Sequence, residues 1–107
     1  MPLYLGRFAY SSESVKTMIG NPQDRARAAA EAAESLGGKL IGFWFSFGEF
    51  DGAYLLEAPD NTAVAALSMV VLGTGALSKH ETTVLLTMDE AQEAMRRAAD
   101  ASFRPPG

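Results

Sequence analysis

The chain has 107 residues, 48% of them hydrophobic, with no cysteine and a formal net charge of −4. That length suits one compact domain and is short for two, and the lack of cysteine excludes disulfides and thiol catalysis and fits a reducing compartment. The negative balance argues against a nucleic-acid partner, whose affinity comes from clustered Lys and Arg; no apolar run approaches the roughly 20 residues of a membrane helix. Met1-Pro2-Leu3-Tyr4 carries no secretory pattern. A cytoplasmic protein with neither a membrane nor a nucleic-acid partner is therefore expected.

Leu3 to Tyr10 reads as a first strand whose two alternating faces are both largely apolar. Ser11 and Ser12 are candidate N-caps for a short helix with Val15, Met18 and Ile19 on one side. Gly20-Asn21-Pro22 breaks that helix and restarts the chain, with Asn21 as cap, Pro22 in the first turn and Asp24 on the positive end of the dipole. The next helix runs to about Leu36 with a stripe of Ala26, Ala29, Ala30, Ala33 and Leu36, and Gly37-Gly38 ends it. An alanine stripe permits close approach to a sheet but buries little area per residue.

Lys39 to Glu57 holds the single Trp, four of the six Phe and one of the three Tyr, and reads as a hairpin turning at Gly48-Glu49-Phe50-Asp51-Gly52. Simple alternation puts Leu40, Gly42, Trp44 and Ser46 on one face of its first strand and Ile41, Phe43, Phe45 and Phe47 on the other. Pro59-Asp60-Asn61-Thr62 starts a helix with Ala63, Ala66, Leu67 and Val70 as its inner stripe. Gly73-Thr74-Gly75 ends it, and a fourth strand follows between Ala76 and Thr87. Thr87 and Glu90 form a capping box for a last helix with Ala91, Ala94, Met95 and Ala98 inward. Residues 1–100 form the domain and 101–107, with Pro105-Pro106, a tail.

The order is β-α-β-β-α-β with an added C-terminal helix, the α+β ferredoxin-like pattern of a four-stranded antiparallel sheet backed by helices. The Gly48-Glu49-Phe50-Asp51 turn, Gly6-Arg7-Phe8, Gly37-Gly38-Lys39 and Glu57-Ala58-Pro59-Asp60 together resemble the GYD domain family, whose signature is Gly, aromatic, Asp. Phe50 stands where Tyr is commoner. The resemblance runs from about Tyr4 to Glu90 and implies a dimeric α+β barrel, in which two sheets pack face to face. It brings no catalytic residues with it. Relatives by fold include cofactor-free monooxygenases, lactone isomerases, haem enzymes and stress-responsive barrels, so the fold alone does not choose a chemistry.

His80 is the only histidine and the candidate for acid–base work near neutral pH; an ordinary surface or interface histidine is the commoner outcome. Neither H-x-x-x-H nor H-x-H occurs, so no metal site is expected, and nothing beyond fold analogy supports haem on His80. No cofactor is expected. Arg7 interrupts an apolar strand as an anion anchor, a rim residue or a partner for Glu57. Trp44, Phe45 and Tyr54, with Tyr4, are candidate walls of an aromatic pocket, although aromatics in a small core are more often only core.

Two-sided hydrophobicity in the hairpin exceeds what the chain's own helices can cover. A homodimer or higher homo-oligomer is expected, self being the partner. The expected function is binding of a small apolar or aromatic ligand, between sheet and helices or at the dimer seam, by Arg7, Trp44, Phe45, Tyr54 and His80. A structural module without a pocket, and a cofactor-free monooxygenase or isomerase, stand as alternatives. Whether the chain is an enzyme stays open.

Overall fold

The computed structural model describes residues 1–107. Its elements are β1 (Leu3–Tyr10), α1 (Ser12–Gly20), α2 (Arg25–Ser35), β2 (Lys39–Phe45), β3 (Gly52–Glu57), α3 (Asn61–Gly73), β4 (Leu77–Leu85) and α4 (Met88–Asp100). The four strands form one antiparallel sheet in the order β2-β3-β1-β4. The helical connections from β1 to β2 and from β3 to β4 each skip one strand, which gives the ferredoxin-like α+β architecture.

The helix starts follow from side chains that accept from orphan N–H groups. Ser11 caps α1 through Ser14 N, Asp60 caps α3 through Ala63 N, and the Thr87–Glu90 capping box closes in both directions on α4. One start differs from expectation. Asp24, not Asn21, caps α2 by accepting from Ala26 N, so Pro22 lies in the connection before the helix.

The buried core lies between one face of the sheet and α2 and α3. Tyr4 and Leu56 are its most deeply buried large side chains, with Phe8, Tyr54, Ala33, Val64 and Leu67 around them. The inner stripe of α3 is Val64, Leu67 and the half-buried Val71, whereas Val70 is exposed. The helix is thus turned from the expected alanine-rich stripe to one that buries larger branched side chains and removes more apolar area from water. The Tyr4 hydroxyl donates to Asn61 Oδ1 at 2.7 Å, tying β1 to the first turn of α3.

A register shift between Leu40 and Gly42 sets Ile41 and Gly42 together opposite Leu55. This bulge reverses the alternation beyond it, so Leu40 shares a face with Phe43 and Phe45, and Trp44 is on the other. The expected grouping of Leu40 with Trp44 fails for that reason. Phe43 thereby joins the core, half-buried, stacked on Phe8 with centroids 5.3 Å apart.

α1 and α4 bury no residue. Ile19 is 76% exposed and Met95 67% exposed, and of the two expected inner stripes only Met18 and Ala91 are partly covered. The physical reason is that α2 and α3 already occupy the covered face. The radius of gyration is 17.1 Å and the long axis 57 Å, against about 13 Å expected for the radius of a compact domain of ~100 residues. No helix of the chain is long and apolar enough to cross a membrane.

Candidate functional site

The space between sheet and helices is not filled. α2 presents Ala28, Ala29, Ala32 and Ala33 to a sheet face carrying Phe8, Tyr10, Phe43 and Tyr54, and between them a cavity of about 230 Å³ remains. Protein interiors are otherwise packed to crystal density, so methyl groups opposite aromatic rings leave room that larger side chains would close. Fifteen of the eighteen lining residues are hydrophobic; Leu67, Val70 and Val71 of α3 and Leu77 of β4 complete the apolar wall.

The polar groups of this wall are brought together by the packing of rings over glycines. Across the sheet, Phe43, Tyr54, Gly6 and Thr82 form one row, and Gly52, Phe8 and His80 the next. A Cβ on Gly6 would overlap the Tyr54 ring, and one on Gly52 would overlap the Phe8 ring. Each aromatic therefore lies flat across its neighbouring strand, as only glycine permits. Tyr54 crosses β1 in this way and its hydroxyl meets His80 Nε2 at 2.6 Å.

His80 Nδ1 is buried and has no hydrogen-bond partner. Protonating the ring would place an N–H there with nothing to accept it, and burial lowers the His80 pKa, so the imidazole is neutral near pH 7. Burial pushes the Tyr54 phenol up to about 12, with a hydrogen bond from Thr82 opposing it. The pair is a neutral phenol on a neutral imidazole. Both residues line the cavity, where the pair can contact a ligand. No three His, Cys, Asp or Glu side chains converge anywhere in the chain as a metal-ligand set.

Beyond Phe8, Tyr10 and Arg25 also line the cavity. Burial raises the Tyr10 pKa; the Arg25 charge and its hydrogen bond to the phenol pull the other way, and Asp51 adds to the rise.

Of the residues singled out from sequence, Tyr54 and His80 meet in this cavity, and Arg7, Trp44 and Phe45 do not line it. Trp44 pairs with Ala53 on the opposite face, folded over Gly42 and 56% exposed. Phe45 is on the cavity side of the sheet but beyond the lining, against Tyr10 at 5.7 Å between centroids. Arg7 lies directly opposite Glu81 and pairs with it at 2.9 Å. The alternative partner, Glu57, is instead in register with Leu3.

The signature turn is held to the same end of the sheet. Asp51 N donates to Phe8 O at 2.8 Å and the Asp51 carboxylate accepts from Tyr10 N at 2.8 Å, continuing the strand ladder, while Asp51 O accepts from Ser46 N at 2.8 Å across the turn. The buried Phe50 ring has Arg7 at 4.5 Å and Lys79 at 4.6 Å from its centroid, a cation–π clamp. Lys79 also reaches Glu49 at 3.5 Å.

Sequence reasoning passed over Tyr10, Arg25 and Phe43 as lining residues. Gly42 inside an aromatic strand was the available signal for the bulge that turns Phe43 inward, and the run of alanines in α2 was the signal for unfilled space, although Ala28 and Ala32 line it in place of the expected Ala26 and Ala30. Nothing in the spacing pointed to Arg25.

A family model for the GYD domain matches residues 4–95 of the chain. The match takes in all four strands and the signature turn. Comparison with curated proteins gave no match. Among solved structures, the crystal structure of FFRP-DM1 is similar with a TM-score of 0.50 at 9% identity, covering 80% of this chain and 100% of that one. At that identity the likeness shows the ferredoxin-like fold alone.

Proposed function

We propose that this chain, which belongs to the GYD domain family, binds a small apolar or aromatic ligand in the cavity between its sheet and α2 and α3. One observation carries the reading: a half-open, largely apolar space of about 230 Å³ in a domain of 107 residues. Small-molecule sites usually run from about 300 to 1,000 Å³ with a few convergent polar groups, and this one lies just below that range. A ligand of one or two rings suits it. Tyr54 and His80 supply the polar contact at one part of the wall and Tyr10 with Arg25 at another. The walls are those of the core, so occupancy stabilises the fold by mass action.

The test fills the space. Ala32→Phe adds a ring where α2 faces the sheet; neutral probes such as naphthalene and indole are titrated against both proteins by thermal shift. Saturable stabilisation of the native chain that Ala32→Phe removes supports the reading. No stabilisation by any ring-sized probe, or stabilisation that survives in a folded Ala32→Phe variant, overturns it.

A second reading concerns self-association. Trp44 on the open sheet face and the whole of α4 are unpartnered within the chain, with Met88 and Met95 exposed along that helix. A helix closed at its N-terminus by a capping box but burying nothing gains little from its own chain, since helices of this length depend on packing. A second copy offers both a sheet face and a helix. Sedimentation equilibrium at micromolar concentration is expected to give a homodimer or higher homo-oligomer that Trp44→Lys weakens; a monomer over that range would remove this reading and leave the cavity untouched.

A further inference from the structure

The wall of the cavity is neutral except at one place. Arg25 alone among the lining residues carries a full charge. Its guanidinium is in none of the chain's five ion pairs. One of its nitrogens donates to the neutral Gln23 Oε1 at 2.9 Å, and it shares the cavity wall with Tyr10, whose phenol feels its charge. Asp51, the acidic group that also faces Tyr10, has an oxygen committed to Tyr10 N at 2.8 Å. Four of the other five arginines, Arg7, Arg27, Arg96 and Arg97, have a carboxylate within 3.6 Å, and the fifth, Arg104, is exposed in the C-terminal segment. Arg25 is set apart from these by being half-buried beside apolar surface without one.

A guanidinium presents a planar fork of donors that matches a carboxylate. Set at an apolar space, where the local dielectric is low, its attraction for an anion is stronger than at an open surface. The lining offers no carboxylate for a cationic ligand, and no lysine or second arginine to balance the two charges of a phosphate monoester. What fits is a single negative charge on an apolar body.

We propose that the cavity's ligand is a small apolar monocarboxylic acid, its carboxylate on Arg25 beside Tyr10 and its apolar body between the alanines of α2 and the Phe8, Phe43 and Tyr54 rings. This rests on the cavity reading above and adds the ligand's charge to it. It also gives the two polar regions of the wall separate tasks. Arg25 and Tyr10 select the acid, and the Tyr54–His80 pair, on the other side of Phe8, meets the body of the ligand.

The experiment compares two probes of one shape on the full chain by calorimetric titration near pH 7: 2-naphthoate and its neutral analogue 2-naphthamide. Naphthoate is expected to bind about tenfold more tightly. Arg25→Met, which keeps the length and apolar stem of the side chain, is expected to bring that ratio to about one, and Arg25→Lys to leave it in between. A purely structural Arg25 would weaken both probes alike and preserve the ratio. Equal affinity of the two probes for the native chain, or a ratio unchanged in Arg25→Met, overturns the acid reading while leaving the cavity reading standing. If neither probe binds, both readings fall together.

Discussion

The Tyr54 hydroxyl and His80 Nε2 lie 2.6 Å apart although the whole of β1 runs between their strands. The contact exists because Gly6 lets the Tyr54 ring lie flat across β1. Tyr54→Phe keeps the ring and removes only the hydroxyl, which leaves a half-buried imidazole with neither nitrogen partnered. A loss of about 1–3 kcal/mol is expected, the usual cost of an unsatisfied buried polar group. Urea unfolding of the two proteins measures it, and a variant as stable as the parent would contradict the assignment.

Gly6→Ala tests the same contact from beneath. Gly6 does not have a left-handed backbone; what it needs is the absence of a Cβ, which would enter the Tyr54 ring. The ring must lift, and overpacking of this kind destabilises by about 1–3 kcal/mol. The His80 ring ¹⁵N shifts are expected to move with it, because the hydroxyl leaves Nε2. Gly20→Ala, at a glycine with open space around it, is the matched control.

Two limbs of pH dependence follow from the same pair. Burial lowers the His80 pKa in the folded state, so below the ordinary value of about 6.5 the unfolded chain takes a proton that the native chain refuses. Stability therefore falls as pH drops from about 6.5 toward the folded value, and His80→Gln flattens that limb. Tyr54 works in the opposite direction. Its phenol is pushed up to about 12 by burial, so its contribution is fully present below about pH 10 and is lost between about 10 and 12, on the order of 2–3 kcal/mol. Unfolding free energy measured across both ranges checks the two signs separately; a stability that rises on acidification through pH 6 would contradict the neutral, buried His80.

The family signature is expected to act through stability. Asp51 extends the β1 ladder at its end by accepting from Tyr10 N. Asp51→Ala leaves that N–H without a partner and is expected to cost about 1–3 kcal/mol, whereas Asp51→Asn, which keeps an acceptor oxygen, is expected to lose less. Denaturation midpoints of the three proteins decide it.

The β-α-β-β-α-β order was legible in the sequence because alternation, caps and turn residues agreed along the chain. The Thr87–Glu90 box and the Gly48–Gly52 turn were readable as local chemistry. Faces were harder. One bulge at Ile41-Gly42 inverted the rest of β2, putting Phe43 in the core and Trp44 outside, and alternation counting has no term for an inserted residue. The rotation of α3 toward Val64 and Val71 likewise depends on what the sheet offers it. Of the candidate site, His80 and Tyr54 were visible as isolated titratable and aromatic residues, but their meeting depends on Gly6, two strands before Tyr54 in sequence and beside it only in the sheet. Arg25 was not singled out from the sequence; it lines the cavity as the first residue of α2, after the Asp24 cap.

The central claim is that the space between sheet and α2 receives a ligand. Methyl NMR of alanine-labelled protein titrated with 2-naphthoate and 2-naphthamide observes that surface directly. The account predicts saturable shifts at Ala28, Ala29 and Ala32, which line the cavity, and at the His80 ring nitrogens, with Ala94 and Ala98 on the outlying α4 unmoved. Methyls of α2 that stay fixed at saturating probe, or shifts confined to α4 and the open face around Trp44, would contradict it.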